Sequence, residues 1–360
     1  MRTLSLLVSF FFVLSGVKAI AAENGGLKAK GNFSVAGWLV YWDPDSMKSF
    51  EENAALIDRV YPEWYVIDAN GMPVSIPDND PKVVKRVFSA KKKQTMEIAR
   101  RHQIKVFSMI VNYDNSIGDH SPERVHKFLY DNNLRKKHIA LLVKNALRDG
   151  ADGIDIDYEN LASKDAAPFA AFMAELRKVC DKNRLYLAAA LAPKTSDQGT
   201  WEGNQAHDYK ALAPSLDLLR PMTYDEHWAT GDAGPVSSPQ FTEATEAYAV
   251  TAADPSKIEL GMAAYGYDWA GKKAVSVSYS EFEELLKRTG AEPQRDPVSS
   301  ELMFRYEGHE VWFCDAQSYH PKYDLIKKYK LAGLAMWRFG SEDPAFWDDL
   351  KLYKFAKDWE

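Results

Sequence analysis

Cysteine is nearly absent: the 360 residues hold two, Cys180 and Cys314. A disulfide-stapled scaffold, which needs several bridges, is excluded. The two thiols lie in apolar runs and read either as one bridge or as two buried free thiols. A basic surface is missing too. Asp and Glu outnumber Lys and Arg by 51 to 45, a formal net charge of −6, so there is no positive stripe for a nucleic-acid partner. Long apolar runs are confined to the N-terminus. Arg2 precedes an apolar stretch over 6–14, and Val17-Lys18-Ala19 and Ala19-Ile20-Ala21 both satisfy the small-x-small rule for signal-peptidase cleavage. That apolar core of about ten residues is short for a bilayer-spanning helix, so residues 1–22 read as a signal peptide rather than an uncleaved anchor. The mature chain is then secreted or periplasmic, free of the membrane, and expected to be a monomer. No glycine-rich phosphate loop follows the first strand. His227 has no His or Cys at ligand spacing, and the other histidines read as surface residues. No cofactor and no metal are expected.

Aromatic side chains, by contrast, are plentiful: ten Trp and eighteen Tyr. Flat rings suit sugar faces, although most must belong to the core. After a Gly- and Lys-rich stretch, 23–33, that reads as flexible, short apolar strands alternate with amphipathic helices. Strands are expected at 35–41, 64–68, 105–111, 153–158, 185–191, 218–223, 258–265 and 333–337. One helical stripe runs through Ile139, Leu142, Val143, Ala146 and Leu147, ended by Gly150; another runs through Phe169, Phe172, Met173 and Leu176. Repeated βα units of this kind predict an α/β fold, a closed (β/α)8 TIM barrel over 34–360. The interval between the seventh and eighth strands is too long for one helix and predicts a small α/β insertion at about 270–330.

The fourth strand carries the chemistry: Asp152-Gly-Ile-Asp155-Ile-Asp157-Tyr-Glu159. Side chains of a strand alternate between faces, so Asp155, Asp157 and Glu159 share the barrel interior while the isoleucines face the helices. Carboxylates crowded in a barrel cannot all ionise, and at least one pKa must rise. Glu159, nearest the C-terminal mouth, is placed to be a protonated general acid. A calcium loop would need a longer span with glycine at its turn, and the alternation with Ile fits a strand instead.

These residues resemble the D-x-x-D-x-D-x-E signature of glycoside hydrolase family 18, the chitinase-like enzymes. Met222-Thr223-Tyr224-Asp225 after the sixth strand and Trp337 at the end of the eighth fall in the family's order. Tyr224-Asp225-Glu226-His227-Trp228 and Trp337-Arg338-Phe339-Gly340 look like the bacterial spore-cortex-lysing and cell-wall-associated branch. The third strand departs from many chitinases: it ends Met109-Ile110-Val111-Asn112 instead of in a Ser-x-Gly-Gly-like turn.

The resemblance implies a retaining, substrate-assisted glycosidase acting on an N-acetylglucosamine-containing glycan, the known exception to the two-carboxylate rule. Glu159 is then the acid, Asp157 steadies the acetamido group, Asp155 shares a proton with Asp157, and Tyr224 fixes the angle of attack. Asp152, Asp225, Trp337, Tyr41, Asn112 and Met222 are the expected substrate-binding set. Trp337 reads alternatively as core, Asp225 as a helix N-cap, and Tyr41 as rim packing. Chitin, peptidoglycan and other N-acetylated glycans all remain open. The rival function is a chitinase-like lectin whose site is silent despite Glu159.

Overall fold

The computed structural model describes residues 26–359; the expected signal peptide lies outside them. The barrel strands are Ser34–Leu39, Arg59–Ile67, Lys105–Val111, Gly153–Asp157, Tyr186–Leu191, Leu218–Pro221, Glu259–Ala263 and Gly333–Trp337. They pair in parallel in chain order, with the eighth between the seventh and the first. A parallel bridge between Leu219 and Ile258 brings the sixth and seventh strands together and completes the ring. The third and eighth strands have the expected bounds. The second begins at Arg59, earlier than expected, because Pro62 breaks the apolar pattern and the register shifts between Glu63 and Tyr65. Among the described residues no helix is long and apolar enough to cross a membrane.

The helices cover the outside of the barrel for the reason the periodicity gives. In the helix Asn132–Asp149, Ile139, Leu142, Val143 and Ala146 are buried, while Leu147, expected on the same stripe, falls at its edge and is exposed. Asp131 caps its start, accepting from the amides of Asn133 and Leu134. Gly150, at φ 72°, ends it by donating back to Ala146 and Leu147, a left-handed turn that glycine adopts without steric cost. At the barrel's base the stretch 26–33 lies against the core. The Lys30 amide donates to Asp58 Oδ1 at 2.8 Å, and the Asn32 amide to the Lys354 carbonyl at 2.8 Å.

Between the seventh and eighth strands stands an antiparallel five-stranded sheet, ordered Lys273–Val277, Gly266–Ala270, His309–Phe313, Leu302–Tyr306 and Gln294–Arg295. The helix Tyr279–Thr289 packs on it around Val277, Phe282, Phe304, Val311 and Phe313. The insertion begins at Gly266, earlier than expected, and the helix His320–Tyr329 that follows leads back into the eighth barrel strand. Cys180 and Cys314 are buried free thiols.

Candidate active site

The fourth strand lies between the third and the fifth, with Met109 opposite Asp155 and Val111 opposite Asp157. Its outward side chains are buried under the helices, and the Tyr158 hydroxyl meets His138 Nε2 at 2.7 Å. Inside the barrel, Asp155 is gripped by Arg220 of the sixth strand, one contact being Nη1 to Oδ2 at 3.2 Å. Arg220 Nε lies 3.3 Å from Glu259 of the seventh strand. Glu259 also accepts from Arg59 Nε at 2.8 Å and from the Tyr61 hydroxyl at 2.5 Å. Two acids thus face two guanidiniums, and the Arg220 guanidinium stacks 3.7 Å from the centre of the Tyr61 ring. Burial pushes Asp155 up to about 6 against the pull of Arg220. Its hydrogen-bond partner is Arg220, and its charge also reaches Asp157.

One layer higher, Asp157 is buried and its Oδ1 has no hydrogen-bond partner. Burial first, and then the neighbouring Glu159, push its carboxyl well above the usual range. Glu159 stands just past the strand end. Although 27% of its side chain is open to the mouth, the surrounding protein, with Asp225 and Asp119 adding their charges, pushes it up to about 7. A carboxyl poised there is protonated often enough to act as an acid near neutrality.

Tyr224 is buried, and burial with the charges of Asp157 and Glu159 holds its phenol protonated. Asp225 takes a left-handed backbone, φ 57°. Its carboxylate accepts from the Tyr265 hydroxyl at 2.6 Å and from Tyr267 of the insertion at 2.9 Å. The next helix begins only at Pro239, capped by Ser238, so Asp225 is no N-cap. Trp337 is half-buried, its ring edge-on to Trp38 with centroids 5.6 Å apart; it is followed by a cis peptide bond to Arg338.

Four expected residues lie elsewhere or act differently. Asp152 sits at the opposite end of the strand, paired with Lys105 at 2.8 Å and accepting from the Val106 amide at 2.9 Å. It lines a basal cavity of about 530 Å³, far from the mouth because it precedes the strand rather than ending it. Tyr41 turns outward: its ring packs edge-on against Phe88, and its hydroxyl bonds Thr95 at 2.7 Å, both on the helix Lys85–His102. Asn112 is buried and spends its amide on the Glu159 backbone. Met222 is buried in the core, and its carbonyl accepts the Tyr224 amide at 2.8 Å, bracing the segment that presents Tyr224.

Other residues gather at the site without having been expected there. Arg220, Glu259, Arg59 and Tyr61 form the charged floor, and Tyr265 and Tyr267 hold Asp225. His120 approaches Glu159, with Nε2 3.3 Å from Oε1. Glu63 of the second strand is raised by burial, while His120 and Arg338 pull it back. Arg338 stacks over the exposed Trp42 at 4.2 Å and pairs with Asp43. Histidines expected on the surface are partly inside: His138 and His207 are buried and pushed down to about 4. Charges inside otherwise apolar strands, as in Leu218-Leu-Arg220-Pro and Ile258-Glu259-Leu, were the available signal, because a buried charge demands a partner. Among the described residues no group of three or more His, Cys, Asp or Glu is arranged to hold a metal ion.

A closed parallel barrel with a raised carboxyl at its C-terminal mouth places the chain among the (β/α)8-barrel proteins that hold their site there. The chain belongs to glycosyl hydrolases family 18, whose model matches residues 38–342, and is a glycoside hydrolase. It is similar to the uncharacterized glycosylase YvbX of Bacillus subtilis, 24% identical over 333 residues, which cover 89% of this chain and 93% of that one. It is similar also to the cortical fragment-lytic enzyme of Bacillus subtilis, 32% identical over 252 residues, 66% of this chain but only 58% of that enzyme. The spore cortex-lytic enzyme SleL of Bacillus megaterium superposes with TM-score 0.77 at 28% identity, covering 90% of this chain and 74% of that one. A chitinase from Chromobacterium violaceum gives TM-score 0.80 at 26% identity, covering 89% and 98%.

Proposed function

We propose that the protein is an exported, retaining glycosidase that hydrolyses β-linked N-acetylglucosamine-containing polysaccharide by substrate-assisted catalysis, with peptidoglycan-type glycan favoured over chitin. The observation that carries the reading is the buried, unpartnered Oδ1 of Asp157 beside the raised carboxyl of Glu159. An unsatisfied buried acceptor costs about 1–3 kcal/mol, and an acetamido N–H of a bound sugar would satisfy it. Asp155 and Asp225 already have partners in Arg220 and the two tyrosines; that the substrate's own carbonyl is the nucleophile is what membership of family 18 implies.

In this mechanism Glu159 gives its proton to the glycosidic oxygen as the C1–O bond breaks. The acetamido carbonyl oxygen bonds to C1, and Asp157 stabilises the positive oxazolinium ion while Tyr224 holds the acetamido group in line. Water then attacks C1, its proton goes to Glu159, and the configuration is retained. Trp337 would carry the face of the reacting sugar. The lean toward cell-wall glycan rests on likeness to the cortical fragment-lytic enzyme, and export on residues 1–22.

The test compares the purified protein and Glu159→Gln on a chitin oligomer, its fully de-N-acetylated counterpart and purified peptidoglycan, with products read by mass spectrometry. Shorter N-acetylated products from the wild type alone, and none from the de-N-acetylated oligomer, are expected. Binding without cleavage by both proteins would replace the reading with a lectin. Cleavage of the de-N-acetylated oligomer would exclude substrate assistance.

A further inference from the structure

A short hairpin after the third strand delivers a side chain to the acid that no motif marks. Its two arms, Tyr113–Asp114 and Asp119–His120, pair antiparallel with Tyr113 opposite His120. The hairpin is well anchored. Arg124 pairs with Asp114 at 2.5 Å, the Ser121 amide donates to the Asn112 carbonyl at 2.9 Å, and Asn160 Nδ2 donates to Asp119 at 3.2 Å. The His120 ring stands edge-on to Tyr113, centroids 5.4 Å apart at 82°, which fixes its plane. Its Nε2 lies 3.3 Å from Glu159 Oε1, and its Nδ1 lies 3.7 Å from Asp119 Oδ1.

A carboxylic acid has two equivalent oxygens, and only a proton on the one facing the leaving group is useful. A donor fixed on the other oxygen breaks that symmetry. We propose that His120 is a positioning residue for Glu159: its Nε2–H donates to Oε1, which directs the acid proton to Oε2 and Oε2 to the glycosidic oxygen. The proposal rests on reading Glu159 as the acid. At 3.3 Å the two atoms are neighbours without the alignment of a formed hydrogen bond; in the proposal the ring swings into line when substrate closes the site. Four other carboxylates surround the pair. Glu63 and Asp157 feel the His120 charge, and Asp119 adjoins the ring, while Arg338 acts on Glu63 and Asp225 on Glu159. Amid so many acids, a ring N–H directed at Oε1 alone would keep the two oxygens of Glu159 distinct.

The test exploits the leaving group. A glycosidic oxygen of a sugar needs a proton to depart, whereas a nitrophenolate needs little help. Wild type, His120→Leu, His120→Gln and His120→Asn are assayed on a chitin oligomer and on a nitrophenyl glycoside of N-acetylglucosamine oligomers. His120→Leu is expected to lose about 10- to 100-fold in kcat on the oligomer with KM nearly unchanged, and far less on the nitrophenyl substrate. Gln, whose amide nitrogen reaches the place of Nε2, should restore most of the loss, and the shorter Asn should not. Equal losses of His120→Leu on both substrates, or no loss on either, would overturn the proposal. If His120→Leu does not fold, the Gln and Asn variants decide, and equal activity of those two overturns it. A wild type that cleaves neither of these substrates nor purified peptidoglycan would remove the acid reading itself, and this proposal with it.

Discussion

Asn112 clasps the backbone of Glu159 from both sides. Its Nδ2 donates to the Glu159 carbonyl at 2.8 Å and its Oδ1 accepts the Glu159 amide at 2.9 Å. Glu159 follows the strand, where ladder bonds no longer hold the chain, so this amide takes over the work of a neighbouring strand. Asn112→Ala removes both bonds and leaves two backbone groups unpaired. The expected outcome is a loss of about 1–3 kcal/mol in stability and at least a tenfold fall in kcat/KM, by the sensitivity of catalysis to small misplacements. Urea unfolding and steady-state kinetics check it; unchanged kcat/KM would show that Glu159 keeps its place without the clasp.

The pH dependence of activity should follow the acid. In the proposed mechanism Glu159 works protonated, so kcat/KM is expected to fall as pH rises through about 7. Since Glu159 and Asp157 titrate as a pair, that midpoint belongs to both. Asp225 raises Glu159 by its charge. Asp225→Asn removes the charge, and the basic limb should move to lower pH. A limb that stays in place would mean that burial alone holds the proton.

Much of this architecture could be read from the chain, for definite reasons. The acidic strand announces itself because Ile at 154 and 156 alternates with Asp at 155 and 157, and a period of two has one structural meaning. The helix ending at Gly150 is legible because its stop signal is local. The charged floor is not: Arg220 finds Asp155 across 65 residues and Glu259 comes from another strand, and no local pattern encodes such pairing. Tyr41 misleads because the chain has left its strand at Leu39, and beyond that point alternation no longer says which way a side chain turns. Asp152 misleads for a simpler reason. A motif gives spacing but not which end of the barrel each acid occupies, and the first acid, the one that precedes the strand, falls at the base.

The buried floor makes its own prediction. Arg220 and Asp155 are both fully buried, so removing one partner strands the other. Arg220→Met should destabilise the fold by about 3–5 kcal/mol and raise Asp155 further, because the Arg220 charge that pulls it down is gone. Adding Asp155→Asn should recover part of the loss, because the uncompensated charge is gone. Chemical denaturation of the two single variants and the double variant measures the coupling directly. Simple additivity would contradict the pairing.

Glu246, on the outer helix Pro239–Ala252, predicts how the whole fold responds to pH. Its side chain is buried, neither carboxyl oxygen has a hydrogen-bond partner, and burial alone pushes it up to about 8 from 4.5. In the unfolded chain the group ionises near the lower value. As pH rises from there the unfolded state gives up a proton that the folded state keeps, so stability declines until the folded group also ionises near 8, and is level beyond. Each pH unit within that window costs at most about 1.4 kcal/mol. Glu246→Gln carries no proton to lose. The variant should match the wild type near pH 4.5 and exceed it at pH 8 by on the order of 2–5 kcal/mol. Melting temperatures across this range decide the matter: curves that run parallel from pH 5 to pH 8 would mean that Glu246 is ionised in the folded protein and has found a partner.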